Sequence, residues 1–399
     1  MGLLGYEMRK IWNPAVCAVI LILGILYYYL FCSFYMRHLN NGPYEQAQFD
    51  LSAGWAAKYG TTMEPNEFEE LEAERAGYLD AFAQELLADG YFSAAGVTDW
   101  SGFVTWDKAY GDEETPSPES REALKRALHW KSYNAVLYLS DFMETYQNAE
   151  QRFLSYASAE KTEKSDVFWD KAKERCEEIR VSSARYGYLP SGMMHSTLEY
   201  VRRLTVWSIL SVVLLISPAL VRDRLHRMRG TQWTSRKGRR VLRLQIIATS
   251  LSSVILTLLN ITAYAAPFLM QNTLIFKDFS LFSTYSFTFP WTDWTYGTYL
   301  LILCGMVFLI SVSVGGIATF LSQFSAHYVA MLLKALPLYV CFRYLCAEIL
   351  MEAPFFRYYR PVIGLASPPC YEWGALVALL VLSVLLRAVA YRKNLRLDI

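Results

Sequence analysis

Six continuous apolar runs divide this chain, at 14–35, 204–221, 244–269, 298–324, 329–351 and 374–390, and its charges are sorted between them. A hydrocarbon core of roughly 30 Å demands about 20 apolar residues of a helix. Lipid offers no water to unpaired backbone groups, so only helices or closed barrels cross it, and continuous runs rather than period-two alternation select helices. Between Arg37 and Glu199 stand 29 of the 37 acidic residues against 16 of the 38 basic ones; elsewhere 22 Lys/Arg face 8 Asp/Glu. A net charge of +1 therefore conceals an acidic polar domain set between spans with basic ends. The fold class read from this pattern is an all-α integral membrane protein. It has six transmembrane helices and a large external helical domain inserted between helices 1 and 2.

At 54% hydrophobic, the 399 residues are too apolar for one soluble fold and too polar for spans alone. The first run is too long for the apolar core of a secretion signal. Phe31-Cys32-Ser33-Phe34-Tyr35 offers no small-residue cleavage site, so the run reads as a retained anchor. Orientation follows from the Lys/Arg bias of short loops. Residues 222–243 carry nine Lys/Arg and one acid, Asp223; Arg387, Arg392, Lys393 and Arg396 follow near the end, and Arg9 and Lys10 near the start. Six spans put these three segments on one side, which the bias makes cytoplasmic. The expected location is the cell membrane, with both termini inside, including a tail at 391–399, and residues 36–203 outside. Arg202 and Arg203, at the outer edge of the second span, run against the bias. Of the seven cysteines only Cys176 and Cys370 fall outside the runs, and spacing alone does not pair them.

Residues 1–13 form an amphipathic stretch, with Leu4, Met8, Ile11 and Trp12 on one face and Arg9 and Lys10 opposite, before the break at Pro14. It reads either as the basic flank of a span or as a helix lying in the inner interface. In the polar domain, Phe68, Leu71, Tyr78, Leu79, Phe82 and Leu86 recur at helical steps up to Gly90. Ser117-Pro118-Glu119 is a helix start, followed by one stripe through Leu124, Leu128, Ala135, Leu139, Phe142, Tyr146 and Phe153. A third helix is expected over about 165–185, with 90–112 as a structured connector. A domain of this size can bury its own core and is expected to be separable. Residues 270–297 read as an external aromatic loop. The segment 352–373 is too apolar for a simple loop and suggests half-inserted or interfacial helices.

No phosphate-cradling G-x-x-x-x-G-K-[ST], no G-x-S-x-G and no H-E-x-x-H occurs, and no Cys/His cluster has metal-ligand spacing. The chain is expected to be no enzyme and to bind no nucleic acid. Intramembrane polar groups are the remaining candidates, because hydrocarbon penalises them. Lys334 lies near a span end and should snorkel. Arg343 lies about 13 Å further along the axis, with Glu348 and Glu352 as partners; it reads as half of a structural ion pair or as a group lining a substrate path. Asn260, beside Thr257, reads as interhelical hydrogen bonding or as part of such a path. Ser311, Ser313, Gly315 and Gly316 let backbones approach closely, within one subunit or between two. Pro218 and Pro337 are candidate kinks.

Gly5-Tyr6-Glu7-Met8-Arg9-Lys10-Ile11-Trp12 resembles the opening stretch of ABC-2 type permeases, the membrane subunits of ATP-binding-cassette exporters. Arg229-Gly230-Thr231 followed by Ser235-Arg236-Lys237-Gly238-Arg239 resembles their first long cytoplasmic loop. The position before Gly230 is an arginine where that family has an acid, and Arg243 or Gln245 stands near its usual lysine. The resemblance implies a coupling helix in 222–243 touching a separate ATPase subunit, with Arg229, Gly230, Thr231, Arg236, Lys237, Gly238, Arg239 and Arg240 as its candidates. It further implies a second permease, identical or not, re-entrant helices in 353–372, and ATP with magnesium held only by the partner. The implied function is export, or extraction from the outer leaflet, of an amphipathic lipid-like or peptide substrate. Two rivals are a protein transmitting ATPase motion to its external domain and a surface protein of the phage-infection-protein type. A cavity between spans favours export; a tightly packed bundle with a rigid stalk favours transmission.

Overall fold

The computed structural model describes residues 2–112, 116–159, 168–225, 238–356, 359–360, 365–366 and 368–396. It is helical, and six of its helices are long and apolar enough to cross a membrane: Pro14–Arg37, Ser191–Val221, Val241–Leu269, Tyr296–Gln323, Tyr328–Leu350 and Tyr371–Arg392. These are spans one to six, and they make the chain a multi-pass membrane protein. Two contain π turns, Tyr28–Cys32 in span one and Arg343–Leu350 in span five.

Span two is the axis of the bundle. Its helix runs unbroken from Ser191 to Leu225, 35 residues, or about 52 Å. It packs against spans one, three, four and five, and span four packs in turn against spans three and six. The close approaches depend on small residues. A Cβ on Gly315 would collide with Ser253 of span three, and one on Gly316 with Ser383 and the Arg387 guanidinium of span six. Spans one, five and six are peripheral, with exposed aliphatic faces.

The N-terminal helix Leu3–Ile11 (α1) packs against span three. Ile11 is buried, and Trp12 Nε1 donates to Ser252 Oγ at 3.0 Å. Lys10 does not lie on an opposite, open face: it folds onto the buried Glu7 at 2.9 Å. Asn13 then caps span one by accepting from Ala15 N, with Pro14 in its first turn.

Between spans one and two lie further helices. Those that shape the domain are α2 (Pro43–Lys58), α3 (Phe68–Ala88), α4 (Gly90–Ala94), α5 (Trp100–Asp112), α6 (Pro118–Ala127), α7 (Lys131–Gln147), α8 (Ala149–Ser158) and α9 (Trp169–Val181). The stripe expected on one helix is thus divided among α6, α7 and α8. The chain turns at Leu128–Trp130, where Asn134 Nδ2 ties back to the carbonyls of Leu128 and Trp130. The structured connector expected over 90–112 consists of two helices, α4 and α5. Leu51, Trp55, Leu71, Tyr138 and Phe142 form one core that continues without a break into the bundle. Phe82, Leu86, Phe92 and Phe103 make a second, aromatic core.

A separable domain is not what the structure shows. The segment expected as a loop at 270–297 completes its core: Phe276, Phe279 and Leu281 join the first cluster, and Phe282 and Phe289 close a third over Phe153, Cys176 and Ile179. Hydrogen bonds hold it there, backbone Thr284 N to Gly187 O at 3.1 Å and side-chain Arg175 Nε to Pro290 O at 2.9 Å. Burial pushes the Cys176 thiol up to about 11, and all seven cysteines are free. At the same junction Tyr44 meets Asp141 at 2.8 Å and Tyr285 at 2.5 Å; burial, then those two bonds, keeps its hydroxyl protonated far above the ordinary range.

The described residues of 352–370 form turns and a two-residue antiparallel pairing, Tyr359–Arg360 with Leu365–Ala366, not half-inserted helices. Pro354, Pro368 and Pro369 remove backbone donors and disfavour helix before them. Phe355, held at φ 65°, is buried against Trp294 and Trp373, and its N–H donates to the buried Glu372 carboxylate at 2.8 Å.

Candidate functional site among the spans

A groove of about 810 Å³ opens between spans one and three, with span two and the Asn260 side chain of span three forming its floor. Its walls are apolar, including Ile20 and Ile25 on one side and Leu256 and Ala263 on the other. Gly24 lets span one settle on the floor, since a Cβ there would stand 2.9 Å from the Trp207 ring. Tyr27 stacks on the same indole, ring centroids 5.5 Å apart. Asn260 lies in the floor at 7% exposure: its amide donates to Ser211 Oγ at 2.8 Å and accepts from Trp207 Nε1 at 3.1 Å. Thr257 Oγ1, one turn away, is buried with no hydrogen-bond partner among the described residues. Tyr264 reaches the Gly24 carbonyl at the domain end, and Trp12 borders the other end. The groove thus offers an apolar channel with a bonded amide at its floor. Such a surface can hold a chain or ring system; it contains no acid–base pair.

Arg343 and Asn260 sit on different sides of span two, so the residues singled out from sequence do not form one site. Arg343 belongs to an alternating ionic chain at the domain side of the bundle. Its Nη2 lies 3.5 Å from Glu348 Oε1. The other oxygen of Glu348 is 3.4 Å from Arg202. Arg202 also holds Glu199 at 2.8 Å, and Glu199 lies 3.7 Å from Arg203. Tyr35 of span one donates to Glu199 at 3.4 Å. The π turn explains the first link: its i→i+5 bonds bring residues five apart onto one face, which an ordinary helix would set well apart. Sequence reading marked Arg343 and Glu348 but missed Glu199 and treated Arg202 and Arg203 as exceptions to charge sorting. The signal was present in Glu199, Arg202 and Arg203 at helical spacing on the edge of an apolar run.

Two further cations are held by oxygen acceptors, Lys334 at a span end as expected and Arg387 against expectation. Lys334 caps the end of span four, donating to Phe324 O at 3.0 Å. Arg387, counted with the tail charges, turns into the bundle, where it donates to Ser250 Oγ at 2.9 Å and to Val312 O at 3.1 Å. It has no ion-pair partner among the described residues. Of the coupling-loop candidates, Arg229, Gly230, Thr231, Arg236 and Lys237 lie outside the described residues, while Gly238, Arg239 and Arg240 form the first turn of the helix Gly238–Leu269. No protein-family model, curated protein or solved structure matches this chain.

Proposed function

We propose that this chain is the membrane permease subunit of an ATP-binding-cassette exporter that moves an amphipathic substrate, lipid-like or peptide. In this reading the termini and the loop after span two are cytoplasmic, the helical domain is external, and a second permease and a separate ATPase holding ATP and magnesium complete the assembly. The observation that carries it is the apolar groove between spans one and three with Asn260 at its floor, a place for a molecule that is soluble in lipid yet carries polar groups. The layout of interfacial helix, single span, inserted domain and five further spans supports the family resemblance.

A second reading, transmission of ATPase motion to the domain, draws support from the 35-residue helix of span two and the core shared by domain and bundle. One experiment addresses both. Full-length chain isolated from its native membrane should bring an ATPase subunit in fixed proportion, with hydrolysis stimulated by an amphiphile. Ala263→Trp, which fills the groove, should abolish that stimulation while leaving the subunits together. Stimulation unchanged by the filled groove supports transmission, and a chain that purifies without any ATPase sinks both readings.

A further inference from the structure

The ionic chain at the domain side carries more charge than it balances. Among the described residues, the ion pairs of Arg203, Arg202 and Arg343 are with Glu199 and Glu348, three positive charges to two negative. The Nε atoms of Arg202 and Arg203 are buried with no acceptor among the described residues. A guanidinium carries five N–H donors and no acceptor, and a buried charged donor left unmatched is costly. Groups of this kind in a membrane call for a partner rich in oxygen acceptors and negative charge.

The surroundings say what shape that partner has. Arg343 is not sealed in: its side chain is 49% exposed at the rim of span five. Val340, Leu336, Leu333 and Leu332 follow it at three- and four-residue steps, all of them exposed. A cation at the head of an apolar helical stripe matches an anion at the head of an apolar chain. The helix Tyr328–Phe342 sets Arg343 above the stripe, and the π turn that follows keeps Glu348 within its reach.

We propose that Arg202, Arg203 and Arg343 bind the anionic headgroup, a phosphate or sulfate, of an amphiphile whose chain lies along the exposed face of span five. This deepens the export reading by naming the charge its substrate carries. Binding is measured here without an ATPase, so the two ideas fail separately.

The test uses full-length protein in neutral detergent, with thermal unfolding followed by tryptophan fluorescence. Dioleoyl phosphatidylglycerol, dioleoyl phosphatidylcholine and inorganic phosphate are titrated in turn. Phosphatidylglycerol should raise the midpoint at about ten-fold lower concentration than phosphatidylcholine, the factor expected for one lost charge-assisted contact. Inorganic phosphate alone should produce no such rise. Arg202→Gln strips a partner from part-buried Glu199 and can unfold the chain, so half-exposed Arg343→Gln carries the decision: it should bring the two lipids close to equal. Equal response to both lipids in the parent, or a preference that survives Arg343→Gln, overturns the proposal and leaves the chain a staple between spans two and five. A rise with inorganic phosphate matching that with phosphatidylglycerol overturns the amphiphile and leaves a site for free anions.

Discussion

Spans one and four are equally apolar, yet 11% of one and 56% of the other is buried. What separates them is not hydrophobicity but side-chain size and polarity. Span four presents Ser311, Ser313, Gly315, Gly316, Thr319 and Ser322 to its neighbours, all of them buried, whereas span one shows Val19, Leu21, Ile22 and Ile25 to the outside. Water sorts residues by hydrophobicity, but lipid is as apolar as leucine and cannot do so. In the bundle, close backbone approach and polar bonds decide which helix is central. A small or hydroxylated residue is therefore a better mark of the interior than an aliphatic one.

The comparison breaks first at Gly316. Leucine there would collide with Ser383 and Arg387, and overpacking of this kind should cost about 3 kcal/mol. Gly305, on the same helix, has nothing near its missing Cβ, so Gly305→Leu should unfold with the parent. Thermal unfolding of both variants in one detergent checks the pair, and equal midpoints would remove size as the sorting rule. Next comes Asn260→Leu, which keeps volume but strips Trp207 Nε1 and Ser211 of their partner. It should cost about 1 kcal/mol, the usual scale for an interhelical hydrogen bond in a membrane; a stabilised variant would mean the floor is held for binding rather than for packing. The smallest effect is expected on span one. Ile22, 64% exposed, should lose less than about 0.5 kcal/mol as alanine. A larger loss, measured by the same unfolding, would sharpen the comparison by showing that another protein surface covers this face.

The positions of the six spans were legible because lipid demands long uninterrupted apolar runs, and few other pressures produce them. Which spans lie inside was less legible, since Ser311, Ser313, Gly315 and Gly316 read first as packing within one subunit but also as a contact between two. Helix α2 was missed because its buried face includes Gln48 and Ser52 beside Leu51 and Trp55, so no apolar stripe stands out. The packing role of 276–289 could not be read at all: its aromatic residues resemble those that favour the lipid headgroup level, and only tertiary contacts distinguish a core from an interface. Asn260 and Arg343 were visible as polar groups in apolar runs and Glu348 as a partner for Arg343, but the π turn that brings the pair onto one face is announced by no local spacing.

The closure of the domain by Phe282 and Phe289 also fixes an order in time. On the ribosome, Phe153, Cys176 and Ile179 are made well before the aromatic residues that cover them, and spans two and three must be synthesised in between. At about 5–20 residues per second the gap of roughly 105 residues lasts on the order of 5–20 seconds. Throughout that interval the nascent domain, whichever side of the membrane it faces, has a half-open aromatic pocket. The cell must shield this pocket until the third span has turned back and delivered its lid.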